Sequence, residues 1–343
     1  MRYALKTIVT GIILASMVLG FAQLLQGTRV AVAQETTFFR IGTGGVLGTY
    51  YRVGGVIAET ISNPPGSYPC ERGGDCGVPG LIAIAQTSGG SIANLGAITD
   101  GLLESGFAQS DTSYSAFRGE GAFADRPPAD QLRVITPLFG EQLQLVVYPE
   151  SDIETVADIR GKRVSIDTED SGTIVVTRRV LDSFGITEDE FEAIHVKPAE
   201  AIDLMAAGNL DAFFIMAGAP TPSVIEAISR NGAYLVPIAG GETEALLAEN
   251  PAYQATTIDD YGDSEPINTI GVTALWLVDA SASEELIYEI TKALYRPEAE
   301  VIMSSLPDDL QILMRKAPLD LAIPLHPGSK RYFEENWNGS RTD

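Results

Sequence analysis

The chain has 343 residues, with 46 Asp plus Glu against 23 Lys plus Arg, a formal net charge of −23 at pH 7. So acidic a surface repels phosphate backbones and anionic lipid, which argues against general nucleic-acid or membrane-surface binding. With 45% hydrophobic and 20% charged residues, the chain can bury a sizeable core, and its length suggests about two domains rather than global disorder.

The N-terminus reads as an address. Arg2 and Lys6 precede an apolar run over 8–25, and Ala31-Val32-Ala33 supplies the small residues of a cleavage site, so residues 1–33 are expected to be a signal peptide. The alternative is an uncleaved anchor, since the run is long enough to span a bilayer. Cleavage removes Arg2, Lys6 and Arg29 and no acid, taking −23 to −26.

Past residue 34, short apolar runs alternate with helix-like segments. FFRIGT (38–43) reads as a strand, and Tyr50, Val53, Ile57 and Ile61 follow at helical spacing. LIAIAQT (81–87) is a second strand before the helical IANLGAITDGL, and a loop containing FAQSD (107–111) leads to one or two long strands over 132–149. A second series starts near residue 150. It has strands at the end of VADIRGKRVSID, then at EAIHV (192–196), LDAFFIMAG (210–218), AYLVPI (233–238) and INTIGVTALWLV (267–278). Between them lie helices over IVVTRRVLDSFG, AEAIDLMAAG, PTPSVIEAISRNG and ETEALLAEN, and SEELIYEITKALY closes the series with Ser283 as its cap. This alternation predicts an α/β fold of two lobes joined by two crossing strands. Residues 34–145 plus 280–343 form one lobe and 146–279 the other.

Cys70 and Cys76 enclose five residues of a Pro/Gly-rich stretch. An exported chain favours pairing them as a disulfide that pins a local turn. With two cysteines, and with His195 and His326 131 positions apart, there is no Cys/His metal framework. Neither a metal nor a cofactor is expected.

Ligands of α/β sheets bind beyond the carboxyl ends of the strands, where helix N-termini offer unpaired N–H groups. Four junctions have that form: GTGGVLG (42–48), TSGGS (87–91), DSGT (170–173) and AGAPTP (217–222). Two fall in each lobe, so facing lobes would bring all four to one cleft, where backbone amides and hydroxyls could hold an anion inside an acidic protein. Leu47 stands where a dinucleotide fingerprint starting at Gly42 needs glycine. No phosphate-binding P-loop and no nucleophile elbow is present, and no nucleophile and base pair points to an enzyme. Arg52, Arg178 and Arg179 lie near the junctions, with surface salt bridges the preferred reading. His195 reads as a structural residue. Tyr50 and Tyr51 are each divided between core and cleft, and Asp111 between helix capping and ligand contact.

The motifs IGTGGVLGTYYRVGG, IAQTSGGSIANL, FAQSDTSY, VADIRGKRVSID with SGT following, AGAPTPSVIEAI, LIYEITKALY and IPLHPGSKRYF together resemble the TAXI family of solute receptors for TRAP transporters. The similarity runs from about residue 38 to about residue 337. It implies a periplasmic-binding-protein-like fold of type II and a periplasmic receptor; a monomer is expected, and the lack of a nucleophile and base pair makes a non-enzymatic role the expectation. Such a receptor closes on a small organic acid or amino acid, glutamate-like or a dicarboxylate, and delivers it to a cation-gradient-driven permease without an ATPase. By position the resemblance implicates Thr43, Gly44, Gly45, Tyr50, Ser88, Gly90, Ser91, Asn94, Gln109, Ser110 and Asp111 in the first lobe. In the second it implicates Ser171, Gly172, Thr173, Gly218, Pro220 and Thr221. Two features depart from the pattern: Ile174 stands where many members carry a polar or basic residue, and the Cys70–Cys76 segment is an insertion. The alternative function is a ligand-sensing periplasmic module that signals to a membrane sensor kinase.

Overall fold

The computed structural model describes residues 35–336 except 69, 75, 260, 263–264 and 312–320. The signal peptide expected over 1–33 lies outside the described residues. Among the described residues no helix is long and apolar enough to cross a membrane.

The first series runs β1 (Thr37–Gly42), α1 (Thr49–Ile61), β2 (Leu81–Gln86), α2 (Ser91–Thr99), β3 (Ser105–Gln109), α3 (Ser110–Arg118) and the long β4 (Leu132–Val147). The second runs β5 (Arg163–Ser165), α4 (Gly172–Ser183), β6 (Glu192–Ile194), α5 (Pro198–Ala206), β7 (Ala212–Ala217), α6 (Pro222–Asn231), β8 (Tyr234–Val236), α7 (Gly241–Glu249), β9 (Gln254–Ile258) and β10 (Ile267–Asp279). α8 (Glu284–Tyr295), α9 (Ala299–Met303), α10 (Asp308–Gln311) and α11 (Pro327–Asn336) follow.

The sheet order is β2-β1-β3-β10-β4-β7-β5-β6, with β8 on β4 and β9 on β10. Each end holds three mutually parallel strands, as βαβ crossovers require, and each trio is closed by one antiparallel long strand, β10 beside β3 and β4 beside β7. The two long strands pair with each other through the middle. This is the expected α/β arrangement of two similar halves connected by two crossing strands.

Burial follows the same division. Leu138, Phe139, Ala274 and Trp276 pack with Phe39, Ile57 and Phe107 in the first half, whereas Leu143, Leu145, Ile270 and Val272 pack with Val164, Val176 and Phe214 in the second. Each long strand therefore changes cores along its length, β4 between Phe139 and Leu143 and β10 between Val272 and Ala274. The β4–β10 register shifts between Thr273 and Leu275, an irregularity that bends a strand locally.

Local signals act as their chemistry predicts. Ser283 Oγ accepts from Leu286 N at 3.4 Å and caps α8, and Ser171 Oγ accepts from Ile174 N at 3.2 Å and caps α4. Pro222 opens α6. Cys70 and Cys76 form a disulfide. One expectation is corrected: the loop expected over 107–111 is the end of β3 and the start of α3. SGFAQ has little intrinsic β-preference, but all five residues are buried and pair with Ala274–Val278 of β10, so tertiary pairing overrides propensity.

Candidate functional site

A cavity of about 90 Å³ lies between the two series. Its wall includes the first residues of four helices: Gly48 and Thr49 for α1, Gly90 and Ser91 for α2, Ser171 and Gly172 for α4, and Lys197 and Pro198 for α5. Each has nine or more residues and directs the positive end of its dipole to its first turn, where N–H groups lack intrahelical partners. A small anion can be held there without an arginine.

Of the residues implicated by sequence, Gly44, Gly45, Tyr50, Gly90, Ser91, Gln109, Ser171, Gly172 and Thr173 line this cavity. The others do not line it. Thr43 is buried with its hydroxyl on Gln86 O at 2.7 Å, and its own carbonyl accepts from Ser88 Oγ at 3.0 Å and Asn94 Nδ2 at 2.7 Å. Asn94 Nδ2 also donates to Phe107 O at 2.8 Å, which ties the ends of β1 and β3 together. Ser110 Oγ accepts from Thr273 N at 3.3 Å. Gly218, Pro220 and Thr221 form the β7–α6 turn, where Gly218 O accepts from Thr49 Oγ1 at 2.7 Å and from Thr221 Oγ1 at 3.0 Å.

Asp111 is buried, and its Oδ2 accepts from Tyr253 Oη at 3.1 Å. Burial pushes its carboxyl up, against the bonds from Thr112 and Tyr253. Tyr253 packs in the core of the second half, so this bond joins the two halves. Further contacts do the same: Ala93 N to Asp170 O at 3.0 Å, Ser223 N to Leu47 O at 3.1 Å, Lys197 Nζ to Gly89 O, and the Thr49 Oγ1 bond to Gly218 O. The two halves are thus in direct contact around the cavity.

The arginines lie off the cavity. Arg178 pairs with Glu169 at 2.7 Å and Glu188 at 2.5 Å, Arg52 donates to Ser305 O at 3.1 Å, and Arg179 is exposed. The cationic side chain lining the cavity is Lys197, a residue that sequence reasoning passed over, held 3.1 Å from Asp167 Oδ1. Asp167 has φ of 69°, a left-handed backbone costing of order 1 kcal/mol for a non-glycine residue. Its carbonyl accepts His195 Nδ1–H at 3.2 Å in the tautomer that suits it. Gly90, with φ of 113°, turns the chain into α2 as only glycine does readily.

Glu141 also escaped the sequence reading. It is 2% exposed, lines the cavity from mid-β4, and accepts the Tyr50 hydroxyl on Oε2 at 2.8 Å. Burial pushes its carboxyl well above the usual range; the Tyr50 bond opposes this and the Asp111 charge adds to it. Burial and the Glu141 charge likewise raise the Tyr50 phenol. The Tyr50 ring stands edge-on to Phe107 and Phe139, at 5.7 and 6.1 Å between centroids, which fixes the hydroxyl in place. A Glu in a polar-alternating stretch of strand carries no sequence mark of this kind. Its role follows from Tyr50 lying 91 residues away.

Several solved structures are similar at a low level. The alkanesulfonate-binding protein SsuA from Xanthomonas axonopodis pv. citri bound to MOPS is 18% identical, with 80% of this chain and 82% of that chain covered and a TM-score of 0.42. The periplasmic aliphatic sulphonate binding protein SsuA from Escherichia coli is 16% identical over 87% of this chain and 78% of that one, with a TM-score of 0.42. A periplasmic transporter is 12% identical over 80% and 87%, with a TM-score of 0.48. The model of the NMT1-like family matches residues 41–336, most of the chain, and with that match the protein belongs to the NMT1-like family.

Proposed function

We propose that the protein is an extracytoplasmic solute receptor for a small organic acid or amino acid, glutamate-like or a dicarboxylate. The observation that carries this reading is the convergence of four helix N-termini and Lys197 on one cavity between two halves of a continuous sheet. Helix-end amides favour an anion, and hydroxyls of Ser91, Ser171 and Thr173 add polar contacts. Binding energy then goes into closing the halves about β4 and β10, with the hinge where those strands change cores.

The TAXI-like motifs between residues 38 and 337 supply the finer reading. The partner is a TRAP permease driven by a cation gradient, the receptor is monomeric and without enzymatic activity, and residues 1–33 export it to the periplasm. The two lobes of that reading are 34–145 with 280–343, and 146–279. The wall residues Gly44, Gly45, Tyr50, Gly90, Ser91, Gln109, Ser171, Gly172 and Thr173 form the ligand shell. Thr43, Ser88, Asn94, Ser110, Asp111, Gly218, Pro220 and Thr221 hold that shell in place.

A thermal-shift screen of dicarboxylates, amino acids and keto acids tests the reading. A ligand at about 100 times its Kd stabilises by about 2.7 kcal/mol, a clear rise in Tm. No shift with any small acid, or turnover of one that binds, overturns it.

A further inference from the structure

Glu141 sits where β4 passes from one core to the other, and each neighbouring element presents a group to it. From α1 comes the Tyr50 hydroxyl, 2.8 Å from Oε2. From α3 comes Asp111, whose negative charge opposes ionisation of Glu141. Asp111 is bonded by Tyr253 at 3.1 Å, and the positive charge of Arg179 acts on Tyr253. The partner of Glu141 on β10 is the uncharged Val272. Across the cavity stand Lys197 and Asp167, paired at 3.1 Å.

The charges lining the cavity among the described residues are therefore Lys197, Asp167 and Glu141. Lys197 and Asp167 cancel. With Glu141 ionised the wall carries a net negative charge and repels the anion that the helix ends attract; with Glu141 neutral the wall is balanced and the carboxyl becomes a donor.

We infer that Glu141 engages the ligand in its protonated form, donating its own O–H to a ligand carboxylate oxygen. Wherever Glu141 is ionised in the empty cleft, one proton is then taken from solvent with each anion bound. This rests on the carboxylate reading above. Such an O–H···O⁻ bond is charge-assisted and short, and it would be made from a buried carboxyl beside the buried Tyr50, where it is strengthened. Burial raises the Glu141 carboxyl in the direction the bond needs. A ligand ammonium at this position would require the opposite, an ionised Glu141.

Isothermal titration of the mature chain with succinate and with L-glutamate tests the inference. It is run from about pH 6 to about pH 9, with two buffers of unlike ionisation enthalpy at each pH. The expected result is a succinate Kd that weakens toward about tenfold per pH unit as Glu141 ionises, with one proton taken up over the same range. Glu141→Gln is expected to abolish both the slope and the proton uptake; the wild-type proton count needs no variant to fold. A succinate affinity that is independent of pH and that Glu141→Met leaves unchanged, a slope that survives Glu141→Gln, or L-glutamate binding that strengthens as pH rises overturns the inference while leaving the receptor reading intact. No binding of either acid at any pH overturns the carboxylate reading and this inference with it.

Discussion

Gly172, the first residue of α4, lies so close to Gln109 at the end of β3 that a Cβ added to it would stand 2.5 Å from Gln109 Cδ and Oε1. Ser91 Oγ would be equally near. The first turn of a helix in the second half is thereby pressed against side chains of the first, and the contact exists because residue 172 has no side chain.

Gly172→Ala should weaken ligand affinity by about tenfold or more, since overpacking costs about 1–3 kcal/mol and falls here on the contact between the two halves. Titration of the variant with succinate and L-glutamate checks this. Unchanged affinity would mean that Gln109 swings aside without cost.

Thr173 Oγ1 accepts from the backbone N–H of Met216 at 3.1 Å, both residues being buried. Thr173→Val keeps the shape and leaves that N–H unpaired, so urea unfolding should show a loss of about 1–3 kcal/mol. Thr173→Ser should recover most of it. Equal stability of the Val and Thr forms would remove this bond from the account of how α4 is anchored to β7.

Arg40 donates to Glu104 from its backbone N at 2.9 Å and from Nε and Nη2 at 2.8 and 2.7 Å. These side-chain bonds hold the Glu104 carboxyl below its ordinary value of 4.5. A carboxyl lowered in the folded state stabilises above its unfolded value and loses that contribution as pH falls through the folded one. The Tm gap between wild type and Glu104→Gln should therefore be full at neutral pH and close in acid. Both side chains are partly exposed, 40% and 35%, so the gap should also shrink with salt. A gap that persists in strong acid would contradict this assignment.

The Cys70–Cys76 disulfide closes a short loop, for which chain entropy allows about 2 kcal/mol. Arg296 reaches the loop, donating to Cys76 O and, at 2.9 Å, to Thr60 O at the end of α1. Neither cysteine lines the cavity. The Cys70→Ser, Cys76→Ser double variant should thus lose up to about 2 kcal/mol in denaturant and bind succinate as wild type does. A changed affinity would assign the insertion a part in ligand choice.

Much of this architecture is legible along the chain. Alternating apolar runs and helical spacings place nearly every strand and helix, because each needs only a local pattern and a cap such as Ser171 or Ser283. The Gly-, Ser- and Thr-rich junctions at 42–48, 87–91 and 170–173 announce helix starts, and all three reach the cavity wall. The fourth, at 217–222, contributes Ala217 there, while Gly218, Pro220 and Thr221 do not line it.

Tertiary structure alone decided the rest. SGFAQ became a strand through its pairing with β10. Lys197 entered the wall because α5 begins there, and Glu141 because β4 crosses between the halves at that residue. None of these carries a local signal: the protonation of a carboxyl depends on what surrounds it in space, and the groups that matter to Glu141 come from α1, α3 and the far side of the cleft. The chain's own pattern fixes where helices begin, since capping is a matter of three or four neighbouring residues. Which helix ends meet, and which charges they meet with, is set by packing between segments as much as 91 residues apart, as Tyr50 and Glu141 are.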